Sequence, residues 1–113
     1  MKGWLIAFDV DGTLADYGGC VTREIIEMLK NGNIVGLVTG RTDHASIREK
    51  YGLDFSYKYV QGVFEQIREQ YPGMDKYVYV ADNVERKYDA ESSGFVFIVP
   101  ERFCEQFNSC FHG

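Results

Sequence analysis

No uninterrupted apolar run in this chain approaches the roughly 20 residues that a membrane-spanning helix requires. The run after Lys2 lasts only from Trp4 to Phe8 before Asp9 interrupts it, too short for the core of a signal peptide, so no secretory leader is expected. Cysteine is equally sparse. Cys20, Cys104 and Cys110 are odd in number and lack the spacing of a disulfide framework, which makes ordinary thiols in a reducing, cytoplasmic setting the expectation. Cys104 and Cys110 with His112 would offer zinc three ligands and no fourth, so no metal site is expected there, and Cys104 suits packing in a terminal helix. Positive charge is in deficit: 12 Lys and Arg face 17 Asp and Glu, and the net charge of -5 gives no general attraction to nucleic acid or acidic membranes. Any anionic ligand must be held by local groups. No internal repeat or low-complexity tract is present.

What is present is 113 residues, 45% of them hydrophobic, enough for a core in one domain spanning 1–113 with little room for a second module. Trp4 to Phe8 reads as a strand, and residues 15–20, with Gly18-Gly19, as a mobile loop. Thr22 can cap a helix that sets Ile25, Ile26 and Leu29 on one face and ends at Asn31-Gly32. A second apolar strand, 34–38, closes on Thr39-Gly40-Arg41-Thr42, and a helix over about 43–50 stops at Tyr51-Gly52. Residues 55–61 fit two periods: Tyr57 and Tyr59 alternate as in a strand, while Val60, Val63, Phe64 and Ile67 suit a helix. Beyond Pro72-Gly73, residues 77–81 form a third clear strand ending at Asp82-Asn83. A helix to about Ser93 follows, then a strand at 95–99. Pro100 opens a terminal helix with Phe103, Phe107 and Cys110 or Phe111 on its inner face. Apolar strands interleaved with helices predict an α/β fold with a mainly parallel sheet covered on both sides. Tyr57, Tyr59, Tyr77 and Tyr79 alternate as sheet residues do and are predicted to pack in the core or at an edge.

The most informative segment is Asp9-Val10-Asp11-Gly12-Thr13-Leu14, where two carboxylates two residues apart emerge as a strand gives way to a turn. A side-chain period of two aims both acids to one side, and Gly12 lets the chain turn at once. Two acids at a strand end favour a hard cation and a phosphate ester. A carboxylate can attack an anionic phosphate monoester only when cations offset the repulsion, and Mg²⁺ prefers oxygen ligands. Asp9 suits the nucleophile. The leaving alkoxide needs a proton and the phosphoaspartate needs an activated water, so Asp11 suits a general acid/base serving both half-reactions. The bland alternative is an Asp-Gly turn whose carboxylates only cap backbone N–H groups.

The hexapeptide resembles the first motif of the haloacid dehalogenase (HAD) superfamily in its phosphatase form, and the resemblance implies these same roles for Asp9 and Asp11. Thr39 matches the second motif, a Ser or Thr ending a hydrophobic strand, whose hydroxyl and neighbouring N–H groups would bind a phosphoryl oxygen; Gly40 allows close backbone approach. Arg41 is either a bidentate phosphate ligand or a solvated loop charge. The third motif is a lysine. Lys58, 24 residues before Asp82, has the family separation but not the usual Gly-Lys-Pro setting, and Lys76 is the fallback, at the amino end of its strand. Asp82 resembles the fourth motif, an acid that ligates Mg²⁺ after a hydrophobic strand, so Asp9, Asp11 and Asp82 form the implied metal set. Its alternative role is the N-cap of the next helix. Relatives often carry a second acid four or five residues on; this chain has Arg86 and Lys87 there, with Glu85 or Asn83 as outer-sphere substitutes.

The resemblance covers nearly the whole chain as a three-layer Rossmann-like core. The intervals 16–33 and 41–57 are too short for a large cap domain. It implies a magnesium-dependent phosphomonoester hydrolase working through an aspartyl-phosphate. The open site implies a large substrate that excludes water itself, or closure by a neighbouring subunit in a homo-oligomer. Substrates would be a small-molecule phosphoester or a phosphorylated macromolecule, with no membrane partner. Thr-Gly-Arg in a compact layout also resembles the phosphatase domain of polynucleotide kinases, which removes 3′-phosphates, although the acidic chain leaves only Arg41, Arg86 and Lys87 to form a basic groove. The remaining alternative is a HAD-like regulatory or binding protein without turnover.

Overall fold

The computed structural model describes residues 1–107. Five strands, β1 (Trp4–Phe8), β2 (Ile34–Thr39), β3 (Phe55–Lys58), β4 (Lys76–Val80) and β5 (Val96–Ile98), form one all-parallel sheet in the order β3-β2-β1-β4-β5. The helices between and after them are α1 (Arg23–Lys30), α2 (His44–Tyr51), α3 (Val63–Gln70), α4 (Lys87–Ser92) and α5 (Pro100–Glu105). Parallel neighbours need crossovers, and right-handed crossovers decide which face each helix covers. The chain moves outward from β1 to β3, which puts α1 and α2 on one face. It then returns to β4 and proceeds outward the other way, which puts α3 and α4 on the opposite face.

The period of two along β1 feeds both layers. Ile6 and Phe8 pack with Ile25, Ile26 and Leu29 of α1, Ile47 of α2 and Phe103 of α5, while Leu5 and Ala7 pack with Phe64 and Ile67 of α3 and Ala90 of α4. Leu5 to Phe8 have no solvent exposure, as expected for a central strand covered on both sides. Tyr77 and Tyr79 are buried, and Tyr57 and Tyr59 are half-buried against the same layer, so the four tyrosines do pack as sheet residues.

Local signals explain the element ends. Thr22 Oγ1 accepts from Ile25 N at 3.3 Å as the N-cap of α1, and Gly52 ends α2 in a left-handed conformation. The two-period stretch divides into both elements it suggested, β3 and then α3. The 15–20 loop is framed rather than loose: Ala15–Tyr17 is a 3₁₀ turn, Gly19 N donates to Leu14 O, and Val21 N donates to Thr13 O. Phe103 and Phe107 face inward from the end of the chain as predicted, whereas Cys110, Phe111 and His112 lie outside the described residues. Among the described residues no helix is long and apolar enough to cross a membrane.

One expectation is overturned. Cys20 and Cys104 are joined as a disulfide, with Cα atoms 6.4 Å apart and a sequence separation of 84. The 15–20 loop and α5 meet on the face that α1 covers, a proximity that spacing along the chain cannot express. With two of three cysteines paired, cysteine usage no longer argues for a reducing compartment.

Candidate active site at the carboxyl ends of three strands

Strand order reverses between β1 and β4, and in open parallel sheets a crevice forms outside the carboxyl ends at such a point. A cleft of about 390 Å³ lies there, lined by Asp9 and Asp11 after β1, Thr39, Gly40 and Arg41 at the end of β2, and Asp82, Asn83 and Arg86 after β4. Six residues predicted from sequence are thus brought together. Lys58 is not among the lining residues. It ends β3, pairs in register with Thr39 and is exposed. Lys76 begins β4 at the other end of the sheet, its Nζ 4.5 Å from the Trp4 ring centre.

The first turn is built by backbone bonds. Asp9 N donates to Val80 O at 2.9 Å, which extends the β1–β4 pairing one residue past the strand and fixes the position of the first acid. Val10 is fully buried beneath it, so Asp9 and Asp11 face the cleft. Val10 N donates to Asp9 Oδ1 at 2.7 Å, leaving Oδ2 turned into the site. Gly12 then takes φ of +74°, and its N–H donates to Tyr17 O.

Each acid of the first motif meets an arginine. Asp11 Oδ1 accepts from Arg41 Nη1 at 3.0 Å, and Arg41 also binds Asp43 through both Nε and Nη2 while lying 5.0 Å over the Tyr17 ring. The Asp43 bond above all, with Asp43 and Asp11 charge in support, raises the Arg41 pKa further. Asp9 Oδ2 accepts from Arg86 Nη1 at 3.3 Å, a pair far less exposed than the first. Arg86 Nη1 also donates to the Tyr79 hydroxyl at 3.1 Å, and its guanidinium lies 4.6 Å from the Tyr59 ring centre. Burial works against its charge, but the bond to Tyr79 and the Asp9 carboxylate outweigh it and hold the pKa above the ordinary value.

Thr39 is buried, and its Oγ1 accepts from Arg41 N at 3.3 Å, so its own proton is left to donate elsewhere. Asp82 is exposed at the rim, its carboxylate set against the first turn. The expected alternative role of Asp82 as a cap falls to its neighbour: Asn83 Oδ1 accepts from Glu85 N at 2.9 Å and caps the 3₁₀ turn Val84–Arg86.

Among the described residues no three acidic, histidine or cysteine side chains are grouped as metal ligands, since Asp9 turns to Arg86 and Asp11 to Arg41. The donor chemistry of the cleft still suits a hard cation, because Asp9, Asp11 and Asp82 present oxygen alone. Arg86 stood out in the sequence only as a departure from the fourth motif and as part of a possible basic groove, not as a member of the phosphate site. Its signal was a cation in the place where an acid was sought. No protein-family model matches the chain, and no curated protein matches it in sequence.

Proposed function

We propose that this chain is a magnesium-dependent phosphomonoester hydrolase of the HAD type, with a three-layer core and no large cap. The reading rests on one observation: the ends of three adjacent strands contribute Asp9 and Asp11, Thr39 to Arg41, and Asp82 to a single cleft. Asp9 Oδ2 attacks phosphorus, the ester P–O bond breaks, and Asp11 gives its proton to the departing alkoxide. Asp11, now a carboxylate, takes a proton from water as that water attacks the phosphoaspartate. Inorganic phosphate leaves and the Asp9 carboxylate is restored. Thr39 donates its hydroxyl proton to a phosphoryl oxygen, beside the N–H groups of the Gly40 turn. Asp9 and Asp82 would hold Mg²⁺, with Asp11 joining them only while ionised, and the ion when bound would offset charge between the nucleophile and the phosphate.

The test is phosphate release from a generic aryl phosphate with and without Mg²⁺, with Asp9→Asn as the control. Metal-dependent turnover that the variant lacks supports the reading. Absence of turnover across a panel of sugar phosphates, nucleotides and 3′-phosphorylated oligonucleotides, or equal turnover by the variant, refutes it. A second reading, a binding module without turnover, draws on the two Asp–Arg pairs that occupy both acids of the first motif. The same panel separates the two.

A further inference from the structure

Two cationic side chains line the cleft, and they are held differently. Arg41 is half-exposed, at about 33% of its side chain, with two of its nitrogens taken by Asp43 and a third by Asp11. Arg86 is half-buried, with about 13% side-chain exposure, and Nη1 alone makes its side-chain hydrogen bonds, to Asp9 and Tyr79. Among the described residues Nη2 and Nε have no hydrogen-bond partner. Nη2 lies over the turn at the end of β2, so close that a Cβ on Gly40 would be 3.1 Å from it. One edge of the guanidinium therefore touches the nucleophile, and an unused donor faces the turn that carries the Thr39 hydroxyl.

Its support is built from two sides. The Tyr79 hydroxyl donates to Val38 O at 3.0 Å, which leaves a lone pair to accept from Arg86. The Tyr59 ring supports the guanidinium face, Tyr59 N donates to Thr39 O at 2.7 Å, and the Tyr59 hydroxyl donates to Asp89 Oδ2 at 2.7 Å. A planar group fixed in this way, with free N–H groups beside a carboxylate and a threonine hydroxyl, suits a tetrahedral oxyanion.

We propose that Arg86 is a phosphoryl-binding catalytic residue that offsets the charge between Asp9 and the substrate, with Tyr79 and Tyr59 as its positioning residues. The inference rests on the phosphomonoesterase reading of the cleft. It places on the β4 side, within contact of the nucleophile, the positive charge that sequence reasoning sought at Lys58. On substrate binding the unused Nη2 and Nε donors take phosphoryl oxygens, while the Nη1 bond to Tyr79 keeps the plane in place.

The experiment titrates the full-length protein with inorganic phosphate in the presence of Mg²⁺, followed by ³¹P NMR, alongside aryl phosphate kinetics. Variants are Arg86→Gln, Arg86→Lys, Tyr79→Phe and Lys58→Gln, with melting curves for each. Arg86→Gln is expected to weaken phosphate binding by about tenfold to a hundredfold, the worth of one or two charge-assisted bonds. Arg86→Lys should recover part of the loss, Tyr79→Phe should lose less than Arg86→Gln, and Lys58→Gln should bind as the native chain does. Failure of the native chain to bind phosphate, equal binding by Arg86→Gln, or loss confined to Lys58→Gln would overturn the proposal. Should Arg86→Gln not fold, Tyr79→Phe and Arg86→Lys decide, and native binding by both overturns it. Phosphate binding that needs Arg86, without ester turnover, sinks the hydrolase reading and leaves the anion site standing. Turnover indifferent to Arg86 does the reverse.

Discussion

The Asp82 carboxylate lies so close to Gly12 that a Cβ added there would come within 2.8 Å of Oδ2, and Gly12 itself stands at φ of +74°. The turn that presents Asp9 and Asp11 is thus packed against the acid from β4, with no space for a side chain between. Gly12→Ala should therefore cost about 1 to 2 kcal/mol from the backbone alone, with displacement of Asp82 added. Denaturant unfolding would detect the loss, and the Mg²⁺ concentration for half-maximal activity should rise. Native stability and unchanged metal dependence would contradict this account of the turn.

Removal of each acid should leave a different signature. On the proposed mechanism Asp9→Asn lacks the nucleophile and should show no turnover, whereas Asp11→Asn should retain a trace, lowered by roughly 10²- to 10⁴-fold in kcat as expected for loss of an acid/base group. Leaving groups that need no proton should suffer least in Asp11→Asn. A loss in that variant independent of leaving-group acidity would reject the proton-transfer role.

The Tyr51 hydroxyl donates to Asp16, and this bond, more than the charges of Lys50 and Arg23, holds the Asp16 carboxyl below its ordinary value of 3.8. Tyr51→Phe should move the Asp16 titration upward by NMR. A carboxyl with a depressed folded-state pKa stabilises the fold above its unfolded-state value, and that stability is lost as pH falls through the folded-state value. The stability gap between native protein and variant should accordingly narrow on acidification. The carboxylate is exposed, so the effect is small. An unmoved titration would contradict the bond.

The Cys20–Cys104 link closes a loop of 84 residues, for which chain-entropy reasoning gives about 4 to 5 kcal/mol of stabilisation. Dithiothreitol or Cys104→Ser should lower the melting temperature by roughly 15 °C or more. Alkylation of the unreduced native protein should label at most one of the three cysteines; labelling of all three would contradict the bond.

Much of the site was legible because its residues directly follow contiguous apolar runs. The runs before Asp9, Thr39 and Asp82 are each complete within a few residues, and strand ends in a parallel sheet converge whatever the connections between them. Arg86 was not legible, since its place depends on Tyr79, seven residues away on a strand, and on Tyr59, which leads away from another. Asn83 took the cap that was the alternative role of Asp82 through a one-residue difference in where the turn begins, the scale at which sequence patterns are least informative. The disulfide escaped because the loop and α5 meet only after all four crossovers are complete.

The return of the chain from β3 to β4, which opens the crevice, also decides which parts of the molecule are free to change. The acids follow the most enclosed strand, with Asp9 tied to Val80 across the sheet, while β3 and β5 occupy the margins. Extra residues grafted beyond either margin could reshape what the cleft admits without disturbing its chemistry. Under the proposed hydrolase reading, recognition and reaction are therefore separable, and new substrates could be sought by altering the borders while the centre is left untouched.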